Sequence, residues 1–157
     1  MRWAFIVIAF ALAGCGSAPP QPKSQAKTEP APAPPPVKDD TALLPLAHRS
    51  GARVVASRLL GIGALPGGSI GDYENRGRKY QLFIIEAESN QKAAFLLLDL
   101  RSALNNPEYI AYMGGYYGER NGAPIYGFAK LQYLAGVVGL RKNQADPIAR
   151  ELAARLR

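Results

Sequence analysis

The stretch Tyr112-Met113-Gly114-Gly115-Tyr116-Tyr117-Gly118-Glu119-Arg120-Asn121-Gly122-Ala123-Pro124-Ile125-Tyr126-Gly127-Phe128-Ala129-Lys130 decides the fold. Its two halves, residues 112–119 and 123–130, are rich in aromatic and apolar side chains. Between them lies Asn121-Gly122, and Asn-Gly between two such runs is the strongest short-range signal of a β-hairpin. The sequence therefore predicts two antiparallel strands joined by a tight turn.

A two-residue turn at Asn121-Gly122 also fixes the pairing of the two strands. It places Arg120 beside Ala123 and Tyr117 opposite Tyr126. A further strand, from Leu131 or Gln132 to Gly139, extends the hairpin into a three-stranded meander.

Two more strands are predicted on the N-terminal side of the meander. Residues 53–60 form a candidate strand, and residues 79–88 form the clearest one because aromatic and β-branched residues occupy its centre. Residues 61–71 (GIGALPGGSIG) are predicted to form a glycine-rich loop. This loop lacks the Gly-Lys-Ser/Thr ending of a phosphate-binding P-loop.

A helix is predicted from Ser89 or Asn90, either of which can cap it, to about Leu104. Asn105-Asn106-Pro107 is expected to end it. One stripe of this helix, with Phe95 beside it, is predicted to face the core: Ala94, Leu97, Leu98, Arg101 and Leu104.

A second helix is predicted at the end of the chain, with Asp146 as its N-cap and Pro147 as its first residue. Its apolar positions recur at a spacing of four, and a Glu151–Arg155 pair has the same spacing. The apolar positions are Ile148, Leu152 and Leu156. The order of elements indicates an α+β fold, with an antiparallel sheet of about five strands packed on one face by two helices.

Catalytic constellations are scarce in this chain. His48 is the only histidine, and it lies outside every predicted element, so a Ser-His-Asp triad is not expected. One histidine and one cysteine cannot supply the four ligands of a structural zinc site. We therefore predict no catalytic residue, no cofactor and no metal.

Carboxylates offer one alternative chemistry. Glu86 and Glu88 are two apart on a predicted strand, and Asp72 and Glu74 lie in the preceding loop. A glycosidase needs two carboxyl groups about 5–10 Å apart around a cleft. A hydrolase built on these groups remains an alternative, although acids before a helix N-terminus are also favoured by the helix dipole.

Tyrosines crowd the meander, and they allow two interpretations. Cross-strand pairing would use them to stabilise the sheet, by about 0.2–1 kcal/mol a pair. An exposed aromatic face would instead stack on a glycan or contact a partner protein. Because Tyr116 and Tyr117 are neighbours on one strand, they must point to opposite faces. The possible binding surface consists of Tyr112, Tyr117, Tyr126 and Tyr133.

The start of the chain carries a different kind of signal. A basic N-terminus is followed by an apolar run, Trp3 to Leu12, and then by Leu12-Ala13-Gly14-Cys15, which holds the single cysteine. The run is about half of the ~20 residues that span a bilayer, and its layout is that of a secretory signal.

Leu12-Ala13-Gly14-Cys15 resembles the lipobox of bacterial lipoproteins. The resemblance implies cleavage after Gly14, a signal peptide of residues 1–14, and lipidation (palmitate and diacylglyceryl chains) on the sulfur of Cys15. Gly16 after the cysteine implies the inner leaflet of the outer membrane, facing the periplasm, in a Gram-negative source. In a Gram-positive source, the anchor would lie on the outer side of the plasma membrane.

Residues 15–40 are expected to form a disordered proline-rich tether, since they contain almost no large apolar side chain. Residues 41–157 are expected to form one globular domain. The net charge of +7 comes from dispersed cations, without a run of four, so no nucleic-acid partner is predicted.

The domain is loosely similar to small periplasmic α+β lipoproteins, through residues 123–140 and 146–157. No catalytic motif comes with that likeness. The sequence thus favours a lipid-anchored, non-catalytic envelope protein that binds a partner protein or has an accessory, structural role. Its partners would be the membrane and either an envelope protein or peptidoglycan. The alternative is a glycan-binding module that uses the tyrosine-rich face.

Overall fold

A computed structural model describes residues 36–157 of the chain. The proposed signal peptide, Cys15 and most of the tether lie outside these residues. The two helices are α1 (Asn90–Ser102) and α2 (Lys142–Arg155). The strands are β1 (Arg49–Ser57), β2 (Pro66–Asn75), β3 (Arg78–Glu86), β4 (Asn105–Ile110), β5 (Gly115–Arg120), β6 (Ala123–Lys130) and β7 (Tyr133–Val138).

The strands form one sheet in the order β1-β2-β3-β7-β6-β5-β4, and every neighbouring pair is antiparallel. Helix α1 connects β3 to β4 at the far edge, and α2 follows β7. The predicted α+β class is confirmed. The number of strands is seven rather than five, because β2 and β4 are strands that the sequence analysis did not assign.

The glycine-rich loop prediction is wrong for its second half, since β2 begins at Pro66. Glycine is unfavourable in strands, so the local sequence indicated a loop. The strand nevertheless pairs along its length with β1 on one side and β3 on the other, and this tertiary pairing overrides the local preference.

Strand β4 lies where the end of the first helix was predicted. The helix ends at Ser102, and Asn105-Asn106-Pro107 begins an edge strand whose pairing with β5 shifts register after Asn105. Proline is tolerated there because an edge strand leaves one row of its backbone groups unpaired.

The meander follows the prediction closely. Asn121 and Gly122 have φ angles of 50° and 76°, as a two-residue hairpin turn requires. Arg120 pairs with Ala123, and Tyr117 pairs with Tyr126. The local sequence therefore sets the register of this hairpin.

The two helices lie on opposite faces of the sheet, so the prediction that both pack on one face is wrong. Alternate residues of β3 belong to two separate clusters of buried side chains, one containing Leu82 with Leu152 of α2, the other Phe83 with Leu100 of α1. Because successive side chains of a strand point to opposite faces, each cluster marks one face. In the central strands, the side chains that point to either face of the sheet are apolar, and both faces are buried.

Helix α1 begins as predicted, because Lys92 N–H donates a hydrogen bond of 3.1 Å to the Oγ of its N-cap Ser89. The predicted core stripe is displaced by one position, although two of its members, Leu97 and Leu104, are buried as predicted. Phe95 and Leu98 are exposed, and the buried positions are Ala93, Leu96, Leu97 and Leu100. Consecutive apolar residues from 93 to 98 cover most of the helix circumference, so periodicity alone does not fix the buried face.

Helix α2 begins at Lys142, and the prediction that Asp146-Pro147 starts it is wrong. Pro147 lies in the second turn, where it costs one backbone hydrogen bond. Leu152 and Leu156 are buried as predicted, with Ile148 packed against them, and Glu151 pairs with Arg155 at 3.6 Å. Neither helix within residues 36–157 has both the length and the apolar character needed to cross a bilayer.

Candidate functional site

Tyr112 stands on a one-turn helix between β4 and β5, and its side chain is 61% exposed. Two residues of α2 fix its ring. Its hydroxyl donates a hydrogen bond of 2.5 Å to Oδ1 of Asp146, and the guanidinium of Arg150 lies 4.7 Å from the ring centroid. The result is an exposed aromatic ring with a defined orientation, which lowers the conformational entropy that binding costs.

Asp146 is the centre of this arrangement. The same Oδ1 accepts a hydrogen bond of 2.9 Å from the buried hydroxyl of Tyr126, and Oδ2 accepts one of 2.9 Å from Nε of Arg150. The bond from Tyr112, with those from Tyr126 and Arg150, holds the pKa of Asp146 below its usual range. Burial raises the pKa of Tyr126, so its phenol stays protonated and remains a donor.

A groove of about 660 Å³ runs beside Tyr112. The start of α2 supplies Arg141, Lys142 and Asn143 to its wall, and Tyr117 and Asp146 complete it. Lys142 forms an exposed ion pair with Glu108 of β4. Aromatic rings beside guanidinium, ammonium and amide groups suit a ligand with sugar rings or planar groups and negative charge.

The structure separates the four tyrosines that the sequence grouped as a possible binding surface. Tyr112 and Tyr117 line the groove, but Tyr126 is 0% and Tyr133 is 7% exposed. The surface prediction is therefore wrong for the last two, because α2 covers their face of the sheet. Tyr117 and Tyr126 meet edge to face with ring centroids 6.5 Å apart, and this is the cross-strand pair that the Asn121-Gly122 turn predicts.

The predicted binding surface did not include four residues of the groove, which are Arg141, Lys142, Asn143 and Asp146. It also did not include Arg150, which contacts the ring of Tyr112. Asp146 was assigned to a helix cap, a role that its Asp-Pro context also fits. The spacing of Asp146 and Arg150, four residues apart on one helix, is the signal that indicates their contact.

The candidate carboxylates do not converge on one place. Asp72 on β2 forms an ion pair with Arg53 of β1 and accepts a hydrogen bond of 2.7 Å from Gln81 of β3. Its carboxylate is therefore already bound by side chains of the two neighbouring strands. Glu86 and Glu88 line a separate cavity at the end of β3. The four acids therefore form two separate pairs, Glu86 with Glu88 and Asp72 with Glu74, and each pair lines a different pocket.

His48 lies directly before β1 and lines a shallow pocket with Arg76 and Arg78. No group of three or more histidine, cysteine, aspartate or glutamate side chains within residues 36–157 is arranged to hold a metal ion.

The fold and groove define an α+β protein with a seven-stranded antiparallel sheet and one helix on each face. No protein-family model, no curated protein and no solved structure matches this chain.

The charge of Asp146 is expected to stabilise the fold in a pH-dependent way. At pH 7, Asp146→Asn should lower the free energy of unfolding by about 1–2 kcal/mol, because bonds to a carboxylate are stronger than bonds to an amide. The pKa of Asp146 is lower in the folded protein than its usual value of 3.8, so this advantage is complete above that value. It is lost as pH falls through the folded-state pKa, where wild type and variant should converge.

Urea unfolding followed by circular dichroism at several pH values measures this difference. Glu151→Gln is the matched control, since Glu151 is an acid of the same helix in an exposed pair with Arg155. It should change stability by less than about 0.5 kcal/mol at every pH. A difference between wild type and Asp146→Asn that does not change with pH would contradict the assigned role of the charge.

Proposed function

We propose that this chain is a lipid-anchored protein of the bacterial cell envelope, with a domain that acts as a non-catalytic binding or accessory module. Cys15 would carry the lipid, and the residues between it and the segment 36–40, which contacts the sheet through Lys38 and Asp40, would connect the anchor to the domain. In a Gram-negative cell, the domain would face the periplasm from the inner leaflet of the outer membrane. The lipobox resemblance at Leu12-Ala13-Gly14-Cys15 supports this part of the proposal.

The observation that carries the binding role is the fixed, exposed ring of Tyr112. This side chain is 61% exposed and two partners hold it in one orientation, so a ligand that stacks on it would lose little conformational entropy to the tyrosine. Tyrosine and arginine are also the residues enriched at energetically important interface positions. An envelope protein that presents an acidic or aromatic segment would fit beside Arg141 and Lys142.

In-cell photocrosslinking tests this role. A photoreactive amino acid at Asn143, which is exposed in the groove wall, is expected to capture a defined partner. The same amino acid at Phe95, an exposed position on the opposite face of the sheet, is the matched control and should give no such adduct. Equal capture at both positions, or none at Asn143, would count against the groove as the contact surface.

A glycan is the second candidate ligand, and the chemistry of the groove lining favours it. Two tyrosines, an asparagine amide and two cations provide stacking, hydrogen bonding and charge for a sugar polymer that carries carboxylates. Peptidoglycan is such a polymer.

Co-sedimentation with purified peptidoglycan decides between these candidates. If the groove binds glycan, the full chain should pellet at moderate salt, and Tyr112→Ala should lower the bound fraction several-fold. Tyr109→Ala is the matched control, because Tyr109 is 58% exposed but lies against Tyr116 on the other face. Absence of wild-type protein from the pellet would reject the glycan and leave the protein partner.

A further inference from the structure

A cavity of about 580 Å³ lies at the end of the sheet where β2 begins, β3 ends and α1 begins. Its walls come from residues 36–40, residues 63–68, the end of β3 and the first three turns of α1. A volume of this size is typical of small-molecule sites. The groove at Tyr112 shares none of its lining residues.

Asp40 in this cavity is an acid in an unusual position, because it is only 8% exposed. Its backbone N–H donates a hydrogen bond of 2.9 Å to the buried Oγ of Ser69, which fixes this part of the chain on β2. Within residues 36–157, no group donates a hydrogen bond to its carboxylate. Burial raises the pKa of Asp40, and the negative charge of Glu86 raises it further. The oxygens of Asp40 are not fully enclosed, since Arg120 Nε is the one fully enclosed side-chain polar atom without a partner within residues 36–157. The charge of Asp40 is nevertheless largely removed from water, and a bound cation would offset that cost.

Glu86 shows which kind of cation reaches this place. It is largely buried, and one of its oxygens lies 2.7 Å from Nζ of Lys38, whose own side chain is mostly exposed. The protein therefore already places a primary ammonium in the cavity. With Glu88, Lys92 and Asp99, the lining contains four carboxylates and two ammonium groups, so negative charge remains in excess.

The rest of the lining indicates what the cation is attached to. Val37, Leu65 and Leu96 contribute aliphatic surface beside the charged groups. The acids within residues 36–157 do not form a group suited to a metal ion. An organic cation with an apolar chain satisfies both parts of the lining, whereas a hydrated metal ion satisfies only one.

We infer that this cavity binds a primary ammonium group carried on a short alkyl chain. The ammonium would contact Asp40 and Glu86, and the alkyl chain would lie along Leu65 and Leu96. Lys38 would act as the internal competitor that occupies Glu86 when no ligand is present. Such a group occurs in free alkyl amines and diamines and in lysine-like side chains of peptides.

Titration of the full chain in detergent micelles, followed by NMR chemical shifts, tests the inference. Pentylamine should give saturable shifts at residues of the cavity, and pentan-1-ol, which has the same shape without the charge, should not. 1,5-Diaminopentane and Nα-acetyl-lysine methylamide distinguish the two sources, since the tighter of them identifies a free amine or a peptide side chain.

Two variants move the affinity for pentylamine in opposite directions. Asp40→Asn should raise Kd about tenfold, as expected for a lost hydrogen bond to a charged group. Lys38→Met keeps the aliphatic stem but removes the competing ammonium, and it should lower Kd several-fold. Glu119→Gln, at an exposed acid on β5 outside the cavity, is the matched control and should leave Kd unchanged.

The variant Lys38→Met also separates ligand binding from a structural role, because loss of a merely structural ion pair does not tighten binding. Equal shifts with pentylamine and pentan-1-ol, an unchanged Kd in Asp40→Asn, or weaker binding in Lys38→Met would each overturn the inference. None of these results bears on the groove at Tyr112, so the inference about the cavity and the proposed role of the groove are tested independently.

Discussion

Gly136→Val is expected to destabilise the domain by about 3 kcal/mol or more, a large part of the 5–15 kcal/mol that typically holds a domain folded. Gly136 lies in the middle of β7, between Phe83 on β3 and Gly127 on β6. A Cβ atom at this position would lie 2.2 Å from the backbone oxygen of Tyr126 and 2.7 Å from the ring of Phe83. Neither the sheet backbone nor a buried ring can move away cheaply, so the central pairing must distort.

Urea unfolding of the two proteins at pH 7 measures this effect. Gly63→Val is the matched control, because a Cβ atom on Gly63 meets no atom within 4 Å and its φ angle is not positive. The control is expected to stay within about 0.5 kcal/mol of the wild type. Unfolding of Gly136→Val at the wild-type urea concentration would show that the sheet centre is packed differently.

Cys15→Ser is expected to move the protein from the membrane fraction to the soluble fraction. If the sulfur of Cys15 carries fatty chains, each buried CH₂ group contributes about 0.8 kcal/mol to the anchor, and two or more chains hold it stably. Serine offers no thiol for that modification. The measurement is fractionation of cells by ultracentrifugation, followed by detection of the protein in pellet and supernatant.

Ser17→Ala provides the control for this experiment, since it changes a neighbouring residue and leaves the cysteine in place. It should remain in the membrane fraction. Pelleting of Cys15→Ser with membranes to the same extent would rule out the sulfur as the point of attachment.

The hairpin and the start of α1 depend on a few neighbouring residues, and both were predicted correctly from the sequence. The hairpin follows from Asn121-Gly122, whose left-handed backbone angles suit a tight turn, and the start of α1 follows from the Ser89 cap. Both signals act over a few residues, and nothing distant competes with them. The Glu151–Arg155 pair of α2 was predictable for the same reason.

The parts that depend on distant neighbours were not predicted. Strand β2 contains three glycines and Pro66, and only its pairing with β1 and β3 makes it a strand. The placement of the helices on opposite faces was hidden because β3 is apolar at consecutive positions from Leu82 to Ile85. Periodicity distinguishes two faces only where one of them is polar.

In the candidate sites, too, local features were predictable and contacts between distant segments were not. The sequence identified the tyrosines as candidates, but no local pattern indicates that α2 covers Tyr126 and leaves Tyr112 exposed. It assigned Asp146 to a helix cap and Asp40 to the tether, since each position fits a local pattern. Their contacts with Tyr112 and Ser69 join segments that are 34 and 29 residues apart, beyond the range of any local pattern.

The most direct test of the proposed function is mass spectrometry of the mature N-terminus, on protein purified from the membranes of its own cells. The proposal predicts that the mature chain begins at Cys15 and that this residue carries a diacylglyceryl group, with or without a further acyl chain. A chain that begins at Met1, or an N-terminal Cys15 with an unmodified thiol, would contradict lipid anchoring and the envelope location that depends on it.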